Sequence, residues 1–370
     1  MLLISETLKK IFTACESINS SDIHISCGEV PRFRMDGNLM PNPLFTNFDS
    51  ETVDDIAMEL GLETLPIGCA DGTERIRLTL LREGSIDGAI SSPSGTRYRF
   101  NIFRENSRTA IAMRRLDSTF HSLSTLGLPE KLEEFCYCPD GLVIVTGPTG
   151  SGKSTTLATL IETINSTRHS HIVTIEDPIE FIHTSKKSLV HQRQIGRDAK
   201  NFSSALVESL RQDPDVILVG EIRDLATFRT ALAASETGHL VFATLHAGDC
   251  VGAIERFISV FPSDEQNGIR QQLALSLRGV LAQHLLPSKK GGRVAVCELM
   301  VNTVATANLI ATARTAQLLS VIETSGNIGM QSMDQSLAKL VLQNRISEAA
   351  AYTLSKSPET LKSRLATSRV

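Results

Sequence analysis

The sequence lacks the features of a membrane-spanning or secreted protein. No stretch approaches the ~20 uninterrupted apolar residues that a membrane-spanning helix needs. At the amino terminus, Lys9 and Lys10 follow the apolar residues, which is the reverse of the order in a signal peptide. The seven cysteines are an odd number without C-x-x-C spacing, and only Cys136 and Cys138 come close to it. We therefore expect a cytoplasmic protein with reduced, mostly buried thiols and no cysteine metal site.

The chain also lacks a long basic block, and its net charge is −4. Bulk binding to nucleic acid needs a concentrated positive surface, so a nucleic-acid translocase is disfavoured, although dispersed arginines could still form a basic channel. Apolar residues make up 41% and charged residues 21% of the chain, as in ordinary soluble globular proteins. At 370 residues we expect two domains, each large enough to bury a core.

The first part of the chain, residues 1–115, predicts a mixed α+β domain of the PAS-like kind. Helical spacing predicts helices over Ser5–Ile18 and Ser50–Leu62, and Asp36-Gly37 predicts a tight turn between strands. The predicted strands are Ile23–Ser26, Arg32–Met35, Ser85–Ile90, Thr96–Ile102 and Ala110–Arg114. Residues 116–128 are rich in serine and threonine and predict a linker.

The second part, residues 129–370, predicts an α/β domain that ends in a helical portion. Short apolar runs predict the strands Leu142–Thr146, Ile172–Ile175, Val216–Val219 and Leu240–Thr244. A helix is predicted within Asn201–Gln212, and another between the N-cap residue Asp224 and Gly238. Apolar strands joined by helices are typical of a parallel sheet covered on both faces, as in nucleotide-binding cores.

The segment Gly147–Ser154 gives the most specific signal. It fits G-x-x-x-x-G-K-[ST], the P-loop pattern, between a predicted strand and a helix-like run. Glycines let backbone N–H groups surround an anion, and the helix dipole points its positive end to the same place. A chance match is the alternative, and the strand and helix on either side argue against it. Lys153 would reach the β- and γ-phosphates of a nucleoside triphosphate, and Ser154 would ligate Mg²⁺. The candidate nucleotide contacts are Gly147, Pro148, Thr149, Gly150, Ser151, Gly152, Lys153, Ser154 and Thr155.

Three further segments place acidic or histidine side chains at predicted strand ends, where a parallel sheet presents its ligand site. They are Val173–Glu180, Val216–Asp224 and Gly238–His246. A carboxylate in the first could orient the attacking water or hold a Mg²⁺-bound water, and a solvated loop is the alternative. Glu221 in the second stands where a Walker-B acid acts on Mg²⁺ or on the water. In the third, His239 fits a structural role, whereas His246 is better placed to contact the γ-phosphate.

Phosphoryl transfer needs positive charge beyond Lys153, and arginine supplied across a subunit boundary is a common source. The first domain offers six candidates, each of which could instead be a solvated surface residue. They are Arg97, Arg99, Arg104, Arg108, Arg114 and Arg115.

Together these segments resemble the secretion-ATPase superfamily, the motors of type IV pili and of type II and type IV secretion. Its Walker A motif, Asp box, atypical Walker B motif and His box are matched, in that order, by Gly147–Ser154, Val173–Glu180, Val216–Asp224 and Gly238–His246. The chain is most similar to the PilT-type pilus-retraction branch, over nearly its whole length. Further matches are Ser21–Ser26, Phe33–Gly37 and Gly329–Leu337. The four-cysteine zinc module of extension and type II motors is not matched, because His284–Cys297 holds one cysteine.

The resemblance implies a hexameric ATPase with a RecA-like core that uses ATP and Mg²⁺. It implies that the motor powers type IV pilus retraction and twitching motility from the cytoplasmic side of the inner membrane. The implied partners are further copies of the chain, an inner-membrane platform protein and a paralogous ATPase, without nucleic acid. The implied site residues are Lys153 and Ser154 on the phosphates and Mg²⁺, Glu221 as catalytic acid and metal ligand, Glu180 as a second carboxylate, and Arg99 and Arg114 on the phosphates. Which of the two glutamates is the general base stays open.

One segment departs from the retraction branch. The signature Ala-Ile-Arg-Asn-Leu-Ile of that branch is replaced by Ala305-Thr-Ala-Asn-Leu-Ile310, which removes a charge and an apolar anchor. We expect ATP hydrolysis to be unaffected, whereas the output stays open. The alternatives are a conjugation, type IV or type II secretion apparatus, and a regulatory paralogue of low activity. The presence of Glu180, Glu221 and His246 speaks against the regulatory paralogue.

Overall fold

The structure, a computed structural model, describes residues 4–35, 37–66, 69, 71–116 and 119–367. The chain divides into two compact units. The first unit comprises Met1–Thr119, Asp177–Ile182 and Arg193–Asn201. The second comprises Phe120–Glu176, His183–Gln192 and Phe202–Val370. Two short segments from the middle of the sequence therefore belong to the first unit, whereas the domains were predicted as continuous stretches.

The first unit is built from one sheet and the helices that pack on it. In chain order its elements are α1 (Glu6–Ser17), β1 (Asp22–Ser26), β2 (Arg32–Met35), β3 (Asn38–Pro41), α2 (Ser50–Leu62), α3 (Gly72–Glu83), β4 (Ser85–Ser91), β5 (Arg97–Glu105) and β6 (Arg108–Arg115). The strand order is β3-β2-β1-β6-β5-β4, and all five pairings are antiparallel. The predicted mixed α+β domain is confirmed.

Along β1 in the sheet of the first unit, side chains alternate between a buried face and a more open face. Ile23 and Ile25 are buried, whereas Asp22, His24 and Ser26 are half-buried. The predicted helix over Ser50–Leu62 is α2, and the Asp49 side chain caps its start. Two elements were not predicted from the sequence: β3, whose residues are all exposed, and α3. Asp36 of the predicted turn lies outside the described residues.

The second unit is built around a seven-stranded sheet. Its elements up to the last strand are α4 (Leu123–Leu126), α5 (Leu132–Phe135), β7 (Gly141–Thr146), α6 (Lys153–Thr167), β8 (His171–Glu176), β9 (Leu189–Gln194), α7 (Phe202–Ser209), β10 (Val216–Val219), α8 (Leu225–Glu236), β11 (Leu240–Leu245), α9 (Cys250–Ser259), α10 (Gln266–Ser276), β12 (Leu277–Pro287) and β13 (Arg293–Val301). The helical end contains α11 (Val304–Ala311), α12 (Leu318–Thr324), α13 (Met333–Leu342), α14 (Glu348–Leu354) and α15 (Pro358–Thr367), with 3₁₀ turns at Thr315–Gln317 and Gly326–Ile328.

The strand order in this sheet is β13-β12-β7-β11-β10-β8-β9. The strands from β12 to β8 pair in parallel, as expected of a RecA-like core. The sheet is mixed, because β13 runs antiparallel to β12. The connection 288–292 between them is too short for a helical crossover, so the chain turns back as a hairpin. Every residue of β7, β10 and β11 is buried, which explains why these strands are apolar without alternation.

The predicted linker 116–128 is only partly a linker. Leu123 and Leu128 are buried in the core of the second unit, and the hydroxyl of Ser122 caps the short helix α4. One of the serines that predicted a linker, Ser122, therefore caps a helix in the second half of this stretch. Residues 117 and 118 lie outside the described part of the chain.

Among the described residues, no helix has both the length and the apolar character that crossing a bilayer requires. All seven cysteines are thiols outside any disulfide. The same described residues contain no group of three or more His, Cys, Asp or Glu side chains arranged to hold a metal ion.

Candidate active site

The loop between β7 and α6 has the backbone that its glycines predict. Gly147, Gly150 and Gly152 have φ angles of 145°, 79° and 89°. These angles lie in the region that residues with a Cβ atom rarely adopt. A Cβ at Gly147 would also lie 2.2 Å from the backbone oxygen of Gln283. Glycine at these positions therefore lets the loop follow this path without strain, and at Gly147 it also avoids a clash.

The start of α6 offers hydrogen-bond donors to an anion. Gly152 is its N-cap residue and provides no side chain to satisfy the first N–H groups. The Lys153 ammonium donates to the carbonyls of Gly147 and Pro148, at 2.8 and 3.0 Å, so its charge lies at the loop. Ser151 Oγ is buried, and within the described structure it makes no hydrogen bond. This set of donors fits the phosphate chain of a nucleotide.

Three more functional candidates follow strands that lie side by side with β7. The neighbours are β11, then β10, then β8, all parallel. His246 is the first residue after β11, Glu221 is the second residue after β10, and Glu176 is the last residue of β8. Because these strands are parallel, the four carboxyl ends meet at one edge of the sheet. The fold thus brings Lys153, His246, Glu221 and Glu176 to the same edge.

Glu221 has two close partners. Its Oε2 lies 2.6 Å from an Arg223 guanidinium nitrogen, and its Oε1 lies 3.0 Å from His246 Nε2. Burial alone would raise the pKa of Glu221, and the hydrogen bond and charge of Arg223 are the largest contributions that lower it. The charges of His246 and Lys153 act in the same direction. The pKa of Glu221 is therefore lowered below its ordinary value of 4.5, and the group is ionised at neutral pH.

Hydrogen bonds fix the loop that carries His246. The hydroxyl of Thr146, the last residue of β7, accepts from Ala247 N at 2.8 Å and lies 2.9 Å from Ala247 O. On the other side, Ile222 N donates to Thr244 O at 3.1 Å. These contacts join the ends of β7, β10 and β11. His246 and Glu221 are thereby held in register with the start of the P-loop.

Glu176 is the carboxylate of the predicted Asp box that belongs to the second unit. Its Oε1 accepts from Thr174 Oγ1 at 2.7 Å and from Gln192 Nε2 at 3.2 Å. Gly220, the residue before Glu221, lies close by, because a Cβ there would be 3.4 Å from the Glu176 Cα. The two acidic segments therefore approach each other closely at Gly220, where a Cβ would also lie 3.1 Å from Ile175 O and fit only tightly.

Glu180, the carboxylate that the resemblance singled out, belongs to the first unit and is half-buried. The preceding residue anchors this segment, since Ile179 O accepts from Arg97 Nε at 3.1 Å and Ile179 N donates to Gln194 Oε1 at 3.4 Å. Arg97 is only 9% exposed. Among the six arginine candidates, Arg97 is thus a buried residue that holds the backbone beside Glu180. The action of Glu180 on a phosphate stays a prediction.

Arg99 and Arg114 lie opposite each other on the paired strands β5 and β6. Asp22 on β1 is the next partner in the same row, and its Oδ1 lies 2.8 Å from Arg114 Nε. Burial would raise the pKa of Asp22, but the hydrogen bonds from Arg114 and Ser21, together with the charges of Arg114 and Arg34, outweigh it and lower that pKa. The open face of the first sheet therefore carries two adjacent guanidinium groups, of which Arg114 is balanced by Asp22.

Comparison with known proteins now identifies the family. A family model described as type II/IV secretion system protein matches residues 96–349. The chain belongs to this family. It is 41% identical over 340 residues to the type IV pilus retraction ATPase PilT of Pseudomonas aeruginosa. The aligned region covers 92% of this chain and 95% of that protein. It is 45% identical over 277 residues to a twitching motility protein of Neisseria gonorrhoeae, covering 75% of this chain and 74% of that protein.

A solved structure is similar over almost the whole fold. The pilus retraction motor PilT with bound ADP superimposes with a TM-score of 0.87 at 38% identity, covering 96% of this chain and 99% of that one. The resemblance stated from the sequence, to secretion ATPases and to the PilT-type branch among them, is confirmed. The predicted α/β class with a RecA-like core is confirmed as well.

The family signature that is altered in this chain lies in α11. Thr306 is fully buried, and its hydroxyl accepts from Thr303 N at 2.7 Å. The Thr303 hydroxyl accepts in return from Thr306 N at 3.3 Å, which completes a capping box. At the position of Thr306, where the signature Ala-Ile-Arg-Asn-Leu-Ile has an isoleucine, this chain therefore has a residue that closes the start of the helix.

Two residues that support the site were not predicted from the sequence. Arg223 was read only as part of its segment, yet its guanidinium lies against Glu221. Gln283 on β12 was not noticed, although it contacts the P-loop. The signal for Gln283 is a polar residue directly after the apolar pair Leu281-Ala282 in a strand-like stretch, where a buried amide needs partners.

Proposed function

We propose that this chain is an ATPase that uses ATP and Mg²⁺ to power retraction of a type IV pilus. One observation carries the ATPase assignment. The P-loop with Lys153, the ionised Glu221 and His246 follow neighbouring parallel strands and meet at one sheet edge. The likeness to PilT over nearly the full length supports the retraction output.

The phosphates would be held by Lys153 and by the first N–H groups of α6, because both present positive charge to the same place. The Ser154 hydroxyl and the Glu221 carboxylate supply the oxygen ligands that Mg²⁺ prefers. Bound Mg²⁺ supplies charge neutralisation on the phosphate oxygens. Glu221, which is ionised, accepts a hydrogen bond from the attacking water, and His246 keeps the Glu221 carboxylate oriented.

Further charge would come from Arg99 and Arg114, and a second carboxylate from Glu180, all in the first unit. We propose that they act on the phosphates of a bound nucleotide within a homo-hexamer. A platform protein in the inner membrane would receive the force. Mixing Arg114→Ala chains with Lys153→Ala chains would test whether the arginine acts between copies, because turnover would rise above that of either variant only if the Arg114 of one copy serves the intact P-loop of another.

The ATPase assignment is tested by phosphate release from ATP with Mg²⁺ on the purified full chain. Steady release that disappears in Lys153→Ala and Glu221→Gln is expected, and purified assemblies that leave ATP intact over hours would overturn the assignment. The output is tested in a pilus-bearing strain that lacks its own retraction ATPase. Expression of this chain should restore twitching and reduce the number of surface pili.

A second output is a conjugation or secretion apparatus, favoured by the altered residues Thr306 and Ala307 in α11. Hydrolysis would be the same, and only the coupling to the membrane machine would differ. The partner that co-purifies distinguishes the two outputs. A pilus platform protein would support retraction, whereas a secretion platform protein would support the alternative.

A further inference from the structure

Gln283 is a buried polar side chain that the proposed hydrolysis does not use. It lies on β12 and is 3% exposed. Its amide nitrogen Nε2 donates to Ser151 O at 2.8 Å, and its Oε1 accepts from Thr156 Oγ1 at 2.7 Å. One end of the amide is therefore bound to the P-loop and the other to the helix that follows it.

The strand register explains why this residue meets the loop. β12 pairs in parallel with β7, and Ala282 lies opposite Thr146, where β7 ends. Gln283 is the next residue, so it runs alongside the first turn of the loop. A Cβ at Gly147 would lie 2.2 Å from Gln283 O, and a Cβ at Gly152 would lie 2.7 Å from Gln283 Nε2. The P-loop thus packs directly on Gln283 at both of its ends.

We propose that Gln283 is a positioning residue that sets the direction of the P-loop N–H groups. The Ser151 carbonyl and the Gly152 N–H belong to one planar trans peptide and point in opposite directions. A hydrogen bond that holds Ser151 O against β12 therefore turns Gly152 N–H away from β12. The inference rests on the proposed nucleotide binding, because that N–H group matters only if it meets a phosphate.

Three variants of the full chain test the proposal. Gln283→Met has similar length without hydrogen-bonding groups, and Thr156→Val removes the hydroxyl that orients Oε1. The matched control is Asn165→Leu, because Asn165 is a fully buried amide of α6 that donates to Thr184 O at 2.9 Å. It lies twelve residues beyond Lys153, about 18 Å along the helix.

The affinity for a fluorescent ADP derivative with Mg²⁺ is measured well below the unfolding temperature, alongside thermal unfolding without nucleotide. Gln283→Met should weaken ADP binding roughly tenfold, equivalent to about 1.4 kcal/mol. Thr156→Val should weaken it less and in the same direction. Asn165→Leu should lower the unfolding temperature and leave the affinity unchanged.

The possible failures are distinguishable. If the wild-type chain binds no ADP, the proposed function fails and this inference fails with it. If the wild-type chain binds and Gln283→Met binds equally well, only the positioning role is overturned. The positioning role is also overturned if Asn165→Leu loses as much affinity as Gln283→Met. If Gln283→Met does not fold, wild-type affinity in Thr156→Val would count against the proposal.

Discussion

His246 Nε2 and Glu221 Oε1 lie 3.0 Å apart, although the two residues follow different strands of the sheet. Parallel pairing of β10 with β11 puts both residues at one edge, and the hydrogen bond from Ile222 to Thr244 keeps the strand ends level. Glu221 also has the Arg223 guanidinium on its other oxygen. The carboxylate is thereby fixed in one orientation beside the P-loop lysine.

Replacing Lys153 with alanine should abolish nucleotide binding. The change removes the one charged side chain of the loop, and with it the hydrogen bonds to Gly147 O and Pro148 O. Turnover should fall by roughly 100-fold or more, the scale on which loss of a donor to developing negative charge acts. ADP titration and phosphate release measure the effect. Lys290→Ala, at an exposed position, is the control, and normal turnover in Lys153→Ala would disprove the site.

Replacing Glu221 with glutamine should stop turnover while the nucleotide still binds. The amide keeps the size of the side chain but loses the charge that, in the proposed mechanism, would hold Mg²⁺ and the attacking water. We expect a loss of roughly 100-fold or more in phosphate release, with ADP affinity changed far less. Glu255→Gln is a matched control, because Glu255 pairs with Arg270 in the same unit. Equal turnover in wild type and Glu221→Gln would transfer the catalytic role to another carboxylate.

The lowered pKa of Glu221 predicts a pH dependence of stability. The folded chain holds the proton of this group less tightly than the unfolded chain, whose value is near the ordinary 4.5. The charged contacts of Glu221 therefore stabilise the fold above that pH, and the contribution is lost as the pH falls through the folded value. The difference in unfolding temperature between wild type and Glu221→Gln should shrink below pH 4.5. A difference that stays constant down to pH 3.5 would contradict this.

Replacing Arg114 with alanine should lower turnover and leave ADP binding to the P-loop nearly unchanged. The guanidinium is 72% exposed and would act only when it meets the phosphates. Arg32→Ala is the control, because Arg32 is an exposed arginine of the same sheet that pairs with Glu29. Phosphate release is compared at equal chain concentration. Unchanged turnover in the assembled Arg114→Ala chain would remove the arginine from the proposed mechanism.

Much of the fold could be predicted from local pattern. The helix over Ser50–Leu62 and the strands Arg32–Met35 and Val216–Val219 have the predicted bounds, because their spacing, caps and apolar runs are local signals. The exposed strand β3 gave no such signal, since none of its residues is buried. The antiparallel strand β13 made the predicted parallel sheet a mixed one. The serine- and threonine-rich composition of residues 116–128 predicted a linker and gave no sign that Leu123 and Leu128 enter the core, because composition does not register which side chains are buried.

The sequence by itself determined the P-loop, the positions of Glu221 and His246 at strand ends, and the family, since these depend on neighbouring residues and their spacing. Only the tertiary structure decided that Glu180 belongs to the first unit, that Arg99 faces Arg114, and that Gln283 supports the P-loop. Those relationships join residues that are far apart in the chain. The order in which strands pair sets them, and that order follows from packing the whole core.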